Sequence, residues 1–260
     1  MVFTESGQTL RLKDGRTLGY AEWGDTSGFP LVHFHGSSSS RLEHPVQQGV
    51  LAGVRLVTID RPGHGLSDFQ PERTLLDWPQ DVAALANHLG IERFAVSGWS
   101  AGGPYVLACA HRIPERLTAV GLVSSFGPYD RPGATAGMDR FNKVALAMAR
   151  RMPWAVTRRG TGMMGRSFAK DPEGAARRRF ASAPAPDQQA LSDRRATDML
   201  LASMVESFRA GSDGSAWEAR RLTHPWGFRL QDVAVPVALW HGDADSNSPL
   251  GTGEYLSRTI

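Results

Sequence analysis

Ser100 has a glycine two residues away on either side, in the run Gly98-Trp99-Ser100-Ala101-Gly102. An apolar β-type run, Phe94-Ala95-Val96, precedes it and a helical run, Pro104 to Ala110, follows. A strand-to-helix turn this sharp makes the chain nearly cross itself, which requires bare residues at the two glycine positions. Such a turn aims the Ser100 hydroxyl outward beyond the strand end. It also leaves the Ala101 N–H at a helix N-terminus, where negative charge developing on a carbonyl oxygen would be held. A serine hydroxyl is a weak nucleophile at neutral pH, so it needs a histidine within hydrogen-bond reach and a carboxylate to orient that histidine. An inert serine in a Gly-rich turn is the alternative; the flanking strand and helix weigh against it. A second N–H donor is expected at Ser37, because Gly36 at the end of the run Leu31-Val32-His33-Phe34-His35 lets the backbone turn its amides inward. For Ser38 to Ser40 a helix-capping serine loop fits as well.

The elements that must position these groups follow in order. Gln8 to Leu12 and Thr17 to Trp23, joined by Lys13-Asp14-Gly15-Arg16, predict an antiparallel hairpin. Strands are expected at Leu31–His35, Val54–Asp60, Phe94–Val96, Leu117–Ser124 and Val235–Trp240, with helices at Leu42–Leu51 and Leu76–Leu89 and after Ser100. Alternating strands and helices imply an α/β fold with a doubly wound, mostly parallel sheet and a site at the strands' carboxyl ends. Residues 131–222 break the pattern. They offer helical runs such as Met138 to Met152 and Ala190 to Ala210 and no convincing strand, and are expected to form an inserted helical cap on a core made of residues 1–130 and 223–260. Met138, Met148, Met152, Met163 and Met164 with Trp154 and Phe168 suit an adaptable apolar acyl pocket, or simply the cap's own core.

Composition excludes several classes. Apolar residues make up 41% and charged residues 21%, ordinary for a soluble globular protein, and no run approaches the ~18 apolar residues a membrane span needs. Met1 to Gly7 lack the basic-then-apolar pattern of a secretory signal, so a cytoplasmic protein is expected. The single cysteine, Cys109, excludes a disulfide within the chain. A net charge of +3 without interleaved aromatics argues against a nucleic-acid partner. The arginines of the helical segment, including Arg158, Arg159, Arg177, Arg178, Arg179, Arg220 and Arg221, could draw an anionic substrate or a membrane surface, although a solvated face is the plainer reading. No metal or cofactor motif is present: His33 and His35 form an H-x-H pair on a strand, which reads as architecture.

Outside residues 131–222 the chain resembles the α/β-hydrolase superfamily, in its serine-nucleophile, capped, esterase- and lactonase-like branch. Four motifs carry the resemblance in order: His35-Gly36, Asp60-Arg61-Pro62-Gly63-His64-Gly65-Leu66-Ser67, Gly98 to Gly102, and Gly242-Asp243-Ala244-Asp245 followed by Pro249. The resemblance implies Ser100 as nucleophile, Asp245 as the acid, the Ser37 and Ala101 amides as oxyanion donors, and His35, Gly36 and Trp99 at the pocket. Asp243 and Asp130 are rival acids. Ser38 stands where a proline is often found. All eight histidines precede Asp245, and none lies among the 15 residues after it, where the family would carry its triad histidine, last strand and closing helix. The expectation is therefore a C-terminally truncated chain; a substitute base from His241, or less readily His64, is the alternative. The implied reaction is hydrolysis of a small carboxylic ester or lactone through an acyl-enzyme. Cofactor-free peroxidation, cleavage after an N-terminal proline, C–C hydrolysis and ligand binding without turnover remain open.

Overall fold

The computed structural model describes residues 7–181 and 183–260; the run Met1 to Ser6, on which the absence of a secretory signal rests, lies outside them. Seven strands share one sheet: β1 (Gln8–Arg11), β2 (Thr17–Gly24), β3 (Phe29–Phe34), β4 (Val54–Ile59), β5 (Phe94–Trp99), β6 (Leu117–Val123) and β7 (Ala238–Trp240). Their order is β1-β2-β4-β3-β5-β6-β7, antiparallel across β1, β2 and β4 and parallel from β4 to β7. The expected hairpin and mostly parallel sheet are both present. After β3 the chain pairs β4 on one side and later β5 on the other. This reversal opens a crevice at the carboxyl ends of β3 and β5, the place where open α/β sheets bind ligands.

Two helices cover the core face, α1 (Trp78–His88) and α2 (Gly103–Arg112). Helix α1 follows a short helical turn, Leu75–Asp77, at whose start the Thr74 N–H and hydroxyl both donate to Asp77 Oδ2 at 2.7 and 2.9 Å, and Pro79 lies in its own first turn. Its face Trp78, Val82 and Leu85 belongs to one buried apolar core with Phe34, Val96 and Leu122 of the sheet and Val106 and Leu107 of α2. Trp78 stands edge-on to Phe34 and to Tyr105, with ring centroids 5.2 and 5.9 Å apart.

Two expected elements differ. Leu42 to Leu51 is a series of turns, not a helix, because Pro45 has no N–H to donate and biases His44 away from helical angles, while Gly49 takes a φ of +79°. His44 instead stacks on Trp23, with centroids 3.7 Å apart. The strand expected over Val235–Trp240 shortens to Ala238–Trp240, since Pro236 cannot donate to a ladder.

Between β6 and β7 lie α3 (Arg140–Arg151), α4 (Trp154–Lys170), α5 (Pro172–Arg179), α6 (Ala185–Ala190), α7 (Arg194–Ser207) and α8 (Asp213–Leu222); α9 (Leu250–Thr259) follows β7. Among the described residues the segment from α3 to α8 holds no strand. It has a small apolar cluster of its own, built on Phe168, Ala175, Ala176, Leu201 and Met204. Polar contacts tie it to the loop after β3: Glu206 accepts from Arg41 at 2.7 Å, and Ser203 Oγ accepts the Ser40 N–H at 2.9 Å. The methionines do not gather round one pocket. Met148, Met152 and Met163 are exposed, Met138 packs with Tyr129, and Met164 joins the cluster around Phe168.

Leu122 is fully buried in the central sheet, so Leu122→Ala should cost about 2–5 kcal/mol. Urea unfolding followed by tryptophan fluorescence checks this; an unchanged midpoint would place Leu122 outside the core.

Candidate active site

Ser100 follows β5 directly and opens the short helical turn Ser100–Gly102 that leads into α2. Its φ of +54° lies in the left-handed region, which costs a non-glycine residue ~1–3 kcal/mol. The surroundings hold it there. The Phe126 N–H donates to the Ser100 carbonyl at 3.0 Å. A Cβ on Gly98 would stand 2.8 Å from the Gly102 carbonyl carbon, and one on Gly102 would overlap the Phe34 carbonyl oxygen. The start of α2 is thus pressed against the end of β3, a close approach that only glycine permits. Ser100 remains partly exposed, while Ala101 is fully buried beneath it.

The loop after β3 lies alongside, because β3 and β5 pair in register with Phe34 beside Gly98. Its two peptide groups are fixed by charged side chains. The His35 carbonyl accepts from Arg61 Nη1, and the next N–H, that of Gly36, donates to Glu43 Oε2 at 3.2 Å. The Gly36 carbonyl accepts from Arg61 Nη2 at 3.0 Å and from His35 Nδ1 at 2.8 Å. In a planar trans peptide the N–H points opposite to the C=O, so the Ser37 N–H is directed away from Arg61. Among the described residues it has no partner, and Ser37 is exposed.

Arg61 is itself held by α8. Glu218 accepts from Arg61 Nε at 2.5 Å and from Nη2 at 3.0 Å, with both residues buried. Burial would raise the Glu218 pKa, but Arg61 and His64 beside it hold it below the ordinary carboxylate value. Glu43 is anchored in turn by Ser39, whose hydroxyl donates at 2.7 Å, and by His33, whose Nε2 lies 3.0 Å away and whose Nδ1 meets Ser97 Oγ at 2.9 Å.

His35, expected at the pocket, is instead buried under the loop. Burial drives its pKa well down, so it stays neutral, with Nδ1 donating to the Gly36 carbonyl and Nε2 accepting the Arg61 N–H at 3.3 Å. Gly36 lies under the Trp99 ring, 2.9 Å from where a Cβ would stand, and Trp99 is half-buried. Asp245 follows β7 in a loop, where Oδ1 accepts the N–H groups of Asn247 and Ser248 at 2.8 and 2.9 Å. Its Oδ2 is 4.0 Å from His241 Nε2, but that nitrogen donates to the Ser248 carbonyl at 2.5 Å and the ring is packed under the loop. His64 is buried with Nε2 3.2 Å from Ser215 Oγ, and burial lowers its pKa to about 4 despite Glu218 nearby. No described histidine is hydrogen-bonded to Ser100. Nothing local in the sequence marks Glu218, Glu43 or Phe126 as site residues; Arg61 alone carries a signal, as one of two charged residues that directly follow a buried strand.

Ser100 thus sits on a strained strand-to-helix turn at the reversal of a mostly parallel sheet. The family profile described as alpha/beta hydrolase fold matches residues 28–260. The chain belongs to the alpha/beta hydrolase fold family. It is 30% identical to a pimeloyl-[acyl-carrier protein] methyl ester esterase of Aromatoleum aromaticum, over 80% of this chain and 76% of that one. It is 33% identical to a non-heme chloroperoxidase of Streptomyces lividans, over 46% of this chain and 45% of the relative. Its fold is similar to that of an enol-lactonase from Burkholderia xenovorans, with a TM-score of 0.68 at 18% identity, covering 97% of this chain and 88% of that one. The chain spans 31 to 45% of the length of three curated relatives that it matches, the chloroperoxidase among them.

His64 supplies a pH test of the buried network. Its folded pKa, about 4, lies below the ordinary 6.5, so the unfolded chain takes up the proton first. The stability associated with neutral His64 is complete above about pH 6.5 and declines toward pH 4, by up to about 3 kcal/mol. Relative to His64→Gln, the wild type should lose stability over that window in urea titrations at a series of pH values. Parallel curves would show that His64 is not buried neutral.

Proposed function

We propose that the protein is a serine hydrolase cleaving a small carboxylic ester or lactone through an acyl-enzyme. Ser100 Oγ attacks the substrate carbonyl, and the oxyanion is received by the Ser37 and Ala101 N–H groups. Collapse expels the alcohol and leaves the acyl group on Ser100; attack by water then releases the acid and restores the serine. Asp245, with Oδ1 satisfied by two backbone N–H groups, keeps Oδ2 free to orient the histidine that would pass the serine proton to the leaving alkoxide, a position that none of the described histidines occupies in this structure. Residues 131–222 act as a cap over the site, and Trp99 and Gly36 form part of its wall. The observation that carries this reading is Ser100 itself, held at φ +54° between two obligatory glycines. The family membership and the esterase and lactonase among the similar proteins support it.

A second reading, a ligand-binding protein without turnover, is favoured by one observation: the hydrogen bonds of the described histidines are made away from Ser100. A fluorophosphonate probe and short p-nitrophenyl esters separate the two. The hydrolase reading expects labelling and turnover that both disappear in Ser100→Ala, with a fall in kcat/KM of at least about a thousandfold. Absence of labelling and turnover, with ligand binding that Ser100→Ala leaves intact, would establish the binder.

A further inference from the structure

Residues 140–170, spanning α3 and α4, carry eight cations and no carboxylate: Arg140, Lys143, Arg150, Arg151, Arg158, Arg159, Arg166 and Lys170. Since the whole chain is only +3, the rest of it carries a net −5, and the basic character is concentrated in this one stretch. All eight cations are exposed, and among the described residues only Arg158 has a carboxylate partner, Asp213.

Large apolar side chains are exposed on the same stretch. Of twelve such side chains exposed among the described residues, six lie here: Phe141, Val144, Met148, Met152, Val156 and Met163. On α3, Phe141, Val144 and Met148 recur at i, i+3 and i+7, with Met152 one turn beyond, so they form a single ridge. That ridge is not the helix's packed side. Leu146 and Ala149 face inward, while Phe141 is 62% exposed, and Arg140 and Arg151 border the ridge. On α4, Met163, 60% exposed, lies two turns from Val156 on the same face, with Arg159 between them.

We propose that α3 and α4 form a peripheral docking surface for an anionic lipid membrane, lying in the interface without crossing it. The charge is complementary to anionic headgroups, and the apolar ridge supplies side chains that can enter the acyl boundary beneath them. A nucleic-acid backbone would match the charge but offers no apolar medium for Phe141, Val144 and Met148. Arginine and lysine stems with flexible methionines suit a fluid, laterally uniform surface, whereas an acidic protein partner would call for a rigid patch with mixed polar anchors at its rim. No helix of the described residues is long and apolar enough to span a bilayer, which agrees with a peripheral mode.

Co-sedimentation of the 260-residue chain with vesicles tests this without reference to catalysis. Binding is expected to vesicles of phosphatidylcholine mixed with phosphatidylserine, at least about tenfold tighter than to phosphatidylcholine alone. The triple variant Arg140→Gln, Arg151→Gln, Arg159→Gln, which removes the cations beside the two apolar ridges, should weaken it by about a hundredfold, at roughly 1 kcal/mol per cation. Phe141→Ser with Met148→Ser should weaken it at least about tenfold while leaving the melting temperature unchanged, since both side chains are exposed. No binding, equal binding to neutral vesicles, or binding unaffected by Phe141→Ser with Met148→Ser would overturn the proposal. The last result would assign the surface to a soluble polyanion or an acidic protein.

Discussion

The guanidinium of Arg61 is buried where the sheet, the loop after β3 and helix α8 meet, and most of the site's geometry depends on how its charge is satisfied. A lone buried cation would cost several kcal/mol, so it must be neutralised and each of its nitrogens given an acceptor. Glu218 provides the countercharge, and the His35 and Gly36 carbonyls take two further donors. Those carbonyls cannot rotate without stranding the charge. The peptide before Ser37 is thereby locked with its N–H on the far side, and Glu43 fixes the neighbouring peptide through the Gly36 N–H. One electrostatic requirement thus sets the orientation of two peptide planes. It also links α8, whose Glu218 lies 157 residues beyond Arg61 in sequence, to the loop beside Ser100.

A second constraint is steric. The sheet reversal brings β3 and β5 into register, and the helix after Ser100 must begin before the chain has cleared the Phe34 carbonyl. Left-handed geometry at Ser100 is the outcome, and the close approaches at Gly98 and Gly102 keep it from relaxing. Strain of ~1–3 kcal/mol survives because the turn is anchored on the buried core that includes Phe34, Trp78 and Leu122. The strained turn and the locked loop meet at the same strand ends, so both converge on one crevice.

What could be read in the sequence was what depends on neighbouring residues. The turn around Ser100, the opening hairpin and the alternation of strands and helices all follow from local spacing and glycine placement, and the structure contains them. Leu42–Leu51 misled because its apolar spacing suits a helix while Pro45 forbids one. Glu43, within that stretch, consequently escaped notice. Arg61 and Glu218 share no local pattern; only the fold joins them. His35 shows the limit from the other side: a histidine beside a glycine after a strand suggests a pocket, yet the twist of the loop buries it under the peptide that it hydrogen-bonds. The methionines of residues 131–222 suggested one pocket, but helical spacing alone cannot say which side of a helix meets a neighbour and which meets solvent.

A crystal structure of the protein after reaction with a fluorophosphonate tests Ser100 and its two amide donors together. The account predicts a covalent bond from Ser100 Oγ to phosphorus, with the phosphonyl oxygen about 2.7–3.1 Å from both the Ser37 and Ala101 nitrogens. It also predicts Arg61 still bonded to the His35 and Gly36 carbonyls. An adduct whose phosphonyl oxygen faces solvent, or a Gly36 carbonyl turned toward Ser100, would contradict it.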